Sequence, residues 1–299
     1  MLFSWLQVGV LVGLLYAPVT LGLIWSFRVM NYPDLTCEGT FMFSAAVSIM
    51  VLNWTGSIFL SVMLAVLSGL VAGAVTACLR VYLRVSPLLS GIITWAILYS
   101  LTIRVLGGLS NVPAREPTLF TASRWPGWGS ELVVALVAVI VAWSVIVAIG
   151  ASRWGQALRA FGDQPWFSVG LGYSSNMLTI IGLAIANGLV GFGGVMVAHF
   201  RQVADVNLGV GILVSGLAAL VMGEAVFAAR RFVHYAAAAV IGTIVYNLAI
   251  ASFYFDWVPG MERVLLPSDV KMVSGLMLLW PAALIARRKG RYRLFASEW

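Results

Sequence analysis

Long uninterrupted apolar segments constrain this chain more than any other feature of its sequence. Segments of about 20 residues recur along the chain, and that is the length an α-helix needs to cross a hydrocarbon core of about 30 Å. The apolar residues do not alternate with a period of two, which disfavours a transmembrane β-barrel. Hydrophobic residues make up 61% of the 299 residues, against about 45–50% in soluble domains, so the sequence predicts an all-α polytopic membrane protein.

Nine membrane spans are predicted within a single transmembrane domain that covers residues 1–299. They lie at 5–27, 39–53, 57–79, 88–106, 131–150, 177–199, 207–227, 236–253 and 270–286. The second span is short for a full crossing, so the polar segment NYPDLTCEG (31–39) is predicted to lie partly within the membrane. Pro33 stops a helix from continuing through this segment. The first span has no basic region before it and is interpreted as a membrane helix, not as a cleaved signal peptide.

The basic residues predict the orientation of the spans. Their excess over acidic residues gives a net charge of +7, which on a membrane protein reports topology rather than nucleic-acid binding. With the C-terminal tail in the cytoplasm, alternation of the spans places twelve Arg and Lys residues inside and six outside. The positive-inside rule therefore favours an external N-terminus and a cytoplasmic C-terminus. Loops 107–130 and 254–269 are then external, and the polar segment 153–176 is cytoplasmic.

Motifs for catalysis are missing from the sequence. Neither Lys271 nor Lys289 follows a glycine, so the chain has no P-loop for a nucleotide triphosphate. His199 and His234 are isolated near predicted helix ends, which suits packing better than metal binding. The two cysteines lie at predicted cytoplasmic ends of spans and suit neither a disulfide nor a metal site. We therefore expect neither an enzyme nor a cofactor or metal on this chain.

Ionisable and small residues inside the predicted spans are interpreted mainly as sites of helix packing. Glu224 precedes Arg230 and Arg231 by one to two turns, and it either pairs with them or another helix end, or relays protons as in a secondary transporter. Gly69 and Gly73 share one face of the third span, which is typical of closely packed membrane helices.

The polar segment 153–176 is predicted to begin with a short amphipathic helix. In RWGQALRAFG the apolar residues recur at helical spacing: Trp154, Ala157, Leu158 and Phe161. Gly162 is expected to cap its C-terminus, and Pro165 prevents simple continuation. By pattern alone this is a helix at the cytoplasmic membrane surface.

The segment GQALRAFGDQPWFSVGLGYSSNMLTIIGLAIANGLVGFGG (155–194) resembles the coupling region of ABC importer permeases in the branched-chain amino acid/ribose permease family. Those permeases have a similar Gly-x-Ala-Leu-Arg-Ala-x-Gly run, followed by a helix that ends in a Gly-rich stretch. The similarity is greater to the tryptophan/tyrosine permease subgroup. It continues in order through GLLYAPVTLGLIWSFRVMNYPDLTCEGTF (13–41), SPLLSGIITWAILYSLTIRVLG (86–107), ADVNLGVGILVSGLAALVMGEAVF (204–227) and PSDVKMVSGLMLL (267–279).

The resemblance implies a type II ABC importer-like fold and a permease subunit that moves a small polar solute, with amino acids as one class. It implies a second permease subunit, expected to be an identical copy, two cytoplasmic P-loop ATPase subunits that bind ATP and Mg, and an external solute-binding protein. The assembly is expected in the bacterial inner membrane. The short helix is expected to contact the ATPase through Gln156, Leu158, Arg159, Phe161, Asp163 and Gln164.

By the same resemblance, segment 31–40 corresponds to an unwound stretch that faces the translocation path. The candidate path residues are Asn31, Asp34, Thr36, Glu38, Thr40, Asn187 and Asn247. The residues alone leave open a cytoplasmic loop with a helix cap at Thr36 or Thr40, and both asparagines either line the path or join helices. The two acidic residues favour an amine-bearing or cationic solute, or else they pair with Arg28.

Three arginines of the external loops are expected to dock the binding protein, namely Arg115, Arg124 and Arg263. The loops serve equally well as plain connectors. A secondary transporter or channel is the alternative function, and it requires no ATPase partner. The third class of function is an integral membrane enzyme or an assembly scaffold. An enzyme would require a cluster of reactive residues, which the sequence does not contain.

Overall fold

The computed structural model describes residues 4–122, 128–164, 170, 172–226, 232–253 and 275. Their regular structure is helical except for two strands of three residues. In order, the elements are α1 (Ser4–Leu23), a π-helical turn (Ile24–Val29), α2 (Thr36–Thr55), α3 (Ile58–Tyr82), α4 (Pro87–Val105), β1 (Asn111–Pro113), α5 (Trp128–Ala151), α6 (Arg153–Asp163), α7 (Ser175–Arg201), β2 (Val203–Asp205), α8 (Ile212–Val226) and α9 (Phe232–Phe253).

Seven of the described helices are long and apolar enough to cross a membrane, which confirms an all-α polytopic membrane protein. They are α1 together with the π-helical turn, α2, α3, α4, α5, α7 and α9. The predicted span at 207–227 forms the shorter α8, which has 15 residues. The predicted span at 270–286 lies outside the described residues apart from residue 275. The total of nine spans and the orientation therefore stay predictions.

The centre of the bundle is formed by α1, α2 and α7, which bury most of their surface. Around it, α3 packs on α2 and α7, α4 packs on α2 and α3, and α5 packs on α1, while α8 and α9 pack on each other and on α1. The outer faces of α3, α4 and α5 carry exposed large apolar side chains, such as Phe59, Leu101 and Val137. Such faces on helices of spanning length suit contact with lipid tails.

Glycines allow α3 and α7 to approach closely, as the spacing of Gly69 and Gly73 indicates. A Cβ at Gly73 would lie 2.1 Å from the carbonyl oxygen of Leu183, and a Cβ at Gly69 would lie 2.6 Å from that of Asn187. No larger side chain fits at either position without moving a backbone. The small face of α3 therefore serves helix packing.

The bundle has two distinct ends. At the strand end, β1 and β2 pair antiparallel, with Val112 opposite Ala204; no strand is predicted from the sequence in this loop. At the opposite end, here called the α6 end, α6 packs against α5, the π-helical turn and α7. The connections between helices thus alternate between the two ends, as the alternation of spans requires.

Two segments interrupt the helices inside the bundle. After the π-helical turn the chain runs without helix to Thr36, where α2 begins. The first turns of α2 contact Asn187 through Thr40. Asn187 lies about 20 Å from either end of α7 by helix rise, so α2 begins inside the bundle. From the strand end, residues 206–211 run back into the bundle, and α8 begins after Gly211. The Gly211 N–H donates to Glu38 Oε1 (3.0 Å), so the two interruptions meet within the bundle.

Candidate functional site

Helix α6 is a surface helix that is fixed to the bundle through one face. Ser152 caps its N-terminus, because the Gly155 N–H donates to Ser152 Oγ (3.2 Å). Gly155, Ala157 and Leu158 are buried, whereas the opposite face carries exposed polar residues. The amphipathic helix that the sequence pattern predicts is therefore confirmed, except that Trp154 of its predicted apolar face is exposed.

Leu158 and Gly162 have roles other than those expected from the sequence. Leu158 is fully buried and lies next to Gly182, where a Cβ would be 2.9 Å from Leu158 Cδ2. It anchors α6 in the core and presents no surface to a partner, which corrects the expected contact. Gly162 is not the C-terminal cap, because the helix continues past it to a cap at Gln164. A Cβ at Gly162 would lie 2.0 Å from the Val29 carbonyl oxygen, so this glycine permits contact with the π-helical turn.

Arg159 braces α6 against two other helices. Its Nη2 donates to the Gly150 carbonyl oxygen (2.8 Å) at the end of α5, and its guanidinium lies 5.4 Å from the ring centroid of Phe232 in α9. The half-buried Arg159 side chain is thus occupied within the chain. The remaining coupling candidates are exposed or, for Phe161, half-buried: Gln156, Phe161, Asp163 and Gln164.

An ion pair joins the π-helical turn to α8 near the α6 end. Arg28 Nε donates to Glu224 Oε1 (2.6 Å), and Arg28 Nη2 donates to Glu224 Oε2. This bidentate geometry holds the two elements together strongly. Glu224 therefore pairs with a basic residue of another element. Arg28 is correspondingly not the partner of Asp34 or Glu38.

Four of the path candidates form one closed hydrogen-bond network. Asp34 Oδ1 accepts from the Thr36 N–H (2.8 Å), and Asp34 Oδ2 accepts from Asn187 Nδ2 (2.7 Å). Thr40 Oγ1 donates to Asn187 Oδ1 (2.6 Å), and the Thr36 and Thr76 hydroxyls are bonded at 2.8 Å. All five side chains are buried. In this conformation their polar groups bind one another, and a role in lining the path stays a prediction.

The other two candidates of segment 31–40 lie outside this network. Asn31 is exposed and has a φ of 51°, a left-handed conformation that asparagine tolerates better than most residues. Half-buried Glu38 accepts the hydrogen bond from Gly211 and so links α2 to the segment before α8. Both acidic residues of segment 31–40 are therefore bonded to groups of their own chain.

Asn247 lies apart from that network, at a cavity of about 620 Å³. The cavity is bounded by α1, the last residue of α7, α8, α9 and segment 206–211, and none of the other path candidates lines it. Asn247 Nδ2 donates to the Thr243 carbonyl oxygen (2.9 Å) one turn earlier in α9. Asn247 is thus not part of the network formed by Asp34, Thr36, Thr40 and Asn187.

His199 is a structural residue whose contacts could not be read from the sequence. Its Nε2 lies 2.7 Å from Ser48 Oγ and 3.1 Å from Ser61 Oγ, and its Nδ1 accepts from the Leu119 N–H (3.1 Å). Because Nδ1 accepts, the neutral ring carries its proton on Nε2. The one signal in the sequence for these contacts is a polar ring within an apolar predicted helix, because a buried polar ring requires hydrogen-bond partners.

Of the three docking candidates, the structure places Arg115 at the strand end. Its side chain is exposed, and its backbone N–H donates to Asn53 Oδ1 (2.7 Å). Arg124 and Arg263 lie outside the described residues. Within the part of the chain that the structure describes, no group of three or more His, Cys, Asp or Glu residues could hold a metal ion.

Comparisons with known proteins give a consistent result. The family model described as "Branched-chain amino acid transport system / permease component" matches residues 6–280. A tyrosine transport system permease protein of Clostridioides difficile (strain R20291) is 29% identical over 268 residues, which cover 89% of this chain and 86% of that protein. An uncharacterized protein of Rickettsia prowazekii (strain Madrid E) is 25% identical over 215 residues, which cover 72% and 75% of the two chains. No solved structure matches the chain.

Proposed function

The chain belongs to the family of branched-chain amino acid transport system permease components, and on this premise we propose that it is the membrane subunit of an ATP-driven importer. Permeases of this family are transport components rather than enzymes. We expect two partner ATPase subunits to bind ATP and Mg in the cytoplasm. A second copy of this chain is expected to complete the translocation path in the bacterial inner membrane.

The attachment of α6 is the observation that carries this proposal. One face of the helix is held by Leu158 in the core, by Arg159 bonded to α5 and stacked on α9, and by Gly162 against the π-helical turn. The other face is polar and exposed. A partner that pushes on the exposed face would therefore move several spans together, which is how a packed helix transmits a domain motion.

We propose an amino acid as the solute. The Clostridioides difficile relative is named a tyrosine transport system permease, and its similarity covers most of both chains. A binding protein is expected to deliver the solute to the strand end through Arg115, Arg124 and Arg263. Because exposed charges are screened by salt, high ionic strength should raise the dissociation constant of that complex.

Reconstitution into proteoliposomes tests the function. The chain is combined with the P-loop ATPase and the secreted binding protein that we expect its neighbouring genes to encode. Uptake of L-tyrosine is then measured together with ATP hydrolysis. Uptake that requires ATP supports the importer, whereas equal uptake by this chain without the ATPase supports a secondary transporter or channel instead.

A charge reversal on α6 tests the coupling role. Asp163 is exposed on α6, so replacing it should not disturb membrane insertion or ATP hydrolysis. Asp163→Arg should reduce ATP-dependent uptake at least about tenfold, because it reverses a charge at the expected ATPase contact. A tenfold change corresponds to about 1.4 kcal/mol of lost coupling free energy. The matched control is Arg84→Glu, which reverses a charge on an exposed residue beyond α3. Unchanged uptake in Asp163→Arg would remove α6 as the ATPase contact.

A further inference from the structure

The cavity between α1, α8 and α9 has the volume of a small-molecule site. Its volume of about 620 Å³ falls within the range of about 300–1,000 Å³ that is typical of such sites. Arg201 lines it at the strand end, and Thr20 and Thr243 line it deeper in the bundle. The Thr243 hydroxyl donates to Thr20 Oγ1 (2.8 Å), which closes that region between α1 and α9.

The lining combines a cation with mostly apolar walls. Arg201 is the last residue of α7 and is exposed, and it forms no ion pair among the described residues. Ser215 and Asn247 add a hydroxyl and an amide on facing helices. Side chains such as Val12 and Ile250 provide an apolar surface. A solute with an apolar body and a charged group that binds Arg201 fits this combination.

No Asp or Glu is among the described residues that line the cavity. Asp34 is bonded to Thr36 and Asn187, and Glu38 is bonded to the Gly211 backbone from outside the cavity lining. Among the described residues, the charge that faces the cavity is therefore that of Arg201. A guanidinium without a carboxylate partner attracts carboxylates and repels cationic groups.

We propose that this cavity receives the solute during import and that Arg201 selects solutes in which a carboxylate is attached to an apolar body. The inference rests on the proposed function of the chain as a permease. It reverses the preference for cationic solutes that Asp34 and Glu38 suggest in the sequence. Neutral amino acids with apolar or aromatic side chains belong to the selected class, whereas their decarboxylated amines do not.

Cysteine accessibility tests the cavity on the purified permease alone. Ser215→Cys is treated with two methanethiosulfonate reagents of similar size, one carrying a sulfonate and one a trimethylammonium group. We expect the anionic reagent to react faster, and the ratio of the two rates to fall about tenfold when Arg201→Gln is added. Arg104→Gln is the matched control, because Arg104 is exposed at the strand end and does not line the cavity.

Protection by ligands tests the solute class. Millimolar L-tyrosine should slow modification of Ser215→Cys, tyramine at the same concentration should not, and Arg201→Gln should abolish the protection. No reaction with either reagent, or an equal charge preference in Arg201→Gln and the parent, would overturn the proposal. Failure of ATP-dependent uptake in the reconstituted complex, with labelling as expected, would instead refute the importer and leave the anion-selective cavity standing.

Discussion

At the scale of single residues, Asn187 connects three segments of the bundle. Its amide binds Asp34, Thr40 and the Leu183 carbonyl oxygen (3.1 Å), and its side chain is fully buried. We expect Asn187→Ala to lower the free energy of unfolding by about 1–3 kcal/mol, because Asp34 and Thr40 lose buried partners. Denaturation with sodium dodecyl sulfate in mixed micelles measures this loss.

Asn247→Ala is the matched control for this substitution. Asn247 is half-buried, and its amide donates to a carbonyl of its own helix. We expect a loss of less than about 1 kcal/mol, which is the usual net worth of a single hydrogen bond. Equal losses in the two variants would show that the network around Asn187 contributes nothing beyond an ordinary helix contact.

His199 fixes the loop after β1 to the bundle. Replacing it by Phe removes the acceptor of the Leu119 N–H, whereas Ser48 and Ser61 keep their mutual bond at 2.9 Å. We therefore expect His199→Phe to fold. The backbone amide of Leu119 should exchange its hydrogen about tenfold faster, which corresponds to a loss of about 1.4 kcal/mol in the free energy of local opening. Hydrogen–deuterium exchange on peptides covering 115–122 measures the change. His234→Phe, at the exposed histidine, should leave it unaltered.

The sequence identifies many of the important polar residues but not their partners. Asp34, Asn187 and Glu224 stand out as polar groups in apolar surroundings, where an unpaired group is costly. Their partners are 153 residues away for Asp34 and 196 residues away for Glu224. Such pairings depend on how the helices are arranged, which periodicity within one segment does not encode. The sequence likewise gives no signal for the position of Arg201, because its cavity is formed by elements distant in sequence.

At the scale of elements, the sequence predicts the described helices and the break before α2, but neither the π-helical turn nor the start of α8 inside the bundle. The predicted span at 39–53 lies within α2, and the amphipathic pattern at 153–162 matches α6. The π-helical turn carries no comparable pattern. It is held by contacts with elements distant in sequence, such as the ion pair of Arg28 with Glu224. Just after the turn, the Tyr32 N–H donates to the Ser26 carbonyl oxygen (2.9 Å), six residues earlier. The start of α8 inside the bundle likewise depends on Glu38.

The contact between α3 and α7 should fail when one methyl group is added. Gly73→Ala places a Cβ 2.1 Å from the Leu183 carbonyl oxygen, so the two helices must separate. We expect overpacking to lower the free energy of unfolding by about 1–3 kcal/mol. The control is Gly129→Ala, where the added Cβ would meet no atom of another described residue within 4 Å, so stability should not fall. A stable Gly73→Ala would show that these helices can shift at little cost.

At the scale of the whole molecule, the two ends of the bundle have different chemistry and different expected partners. The α6 end has an exposed polar helix that is braced to several spans, and the strand end has the exposed Arg115 together with Arg201 at the edge of the cavity lining. Import driven by ATP requires the motor on the cytoplasmic side and the solute supply on the other. The proposed function is therefore tied to one orientation, in which α6 faces the cytoplasm.

Site-directed labelling decides between the two orientations. Ser110 and Gln156 are both exposed, one at the strand end and one on α6. A membrane-impermeant maleimide added to intact spheroplasts should label Ser110→Cys and should label Gln156→Cys only after the membrane is permeabilised. Labelling of the two native cysteines is measured on the parent chain and subtracted as background. Of these cysteines, Cys37 is buried and Cys78 is half-buried. The opposite pattern would place α6 outside the cell, away from ATP, and the charge excess would then not follow the positive-inside rule.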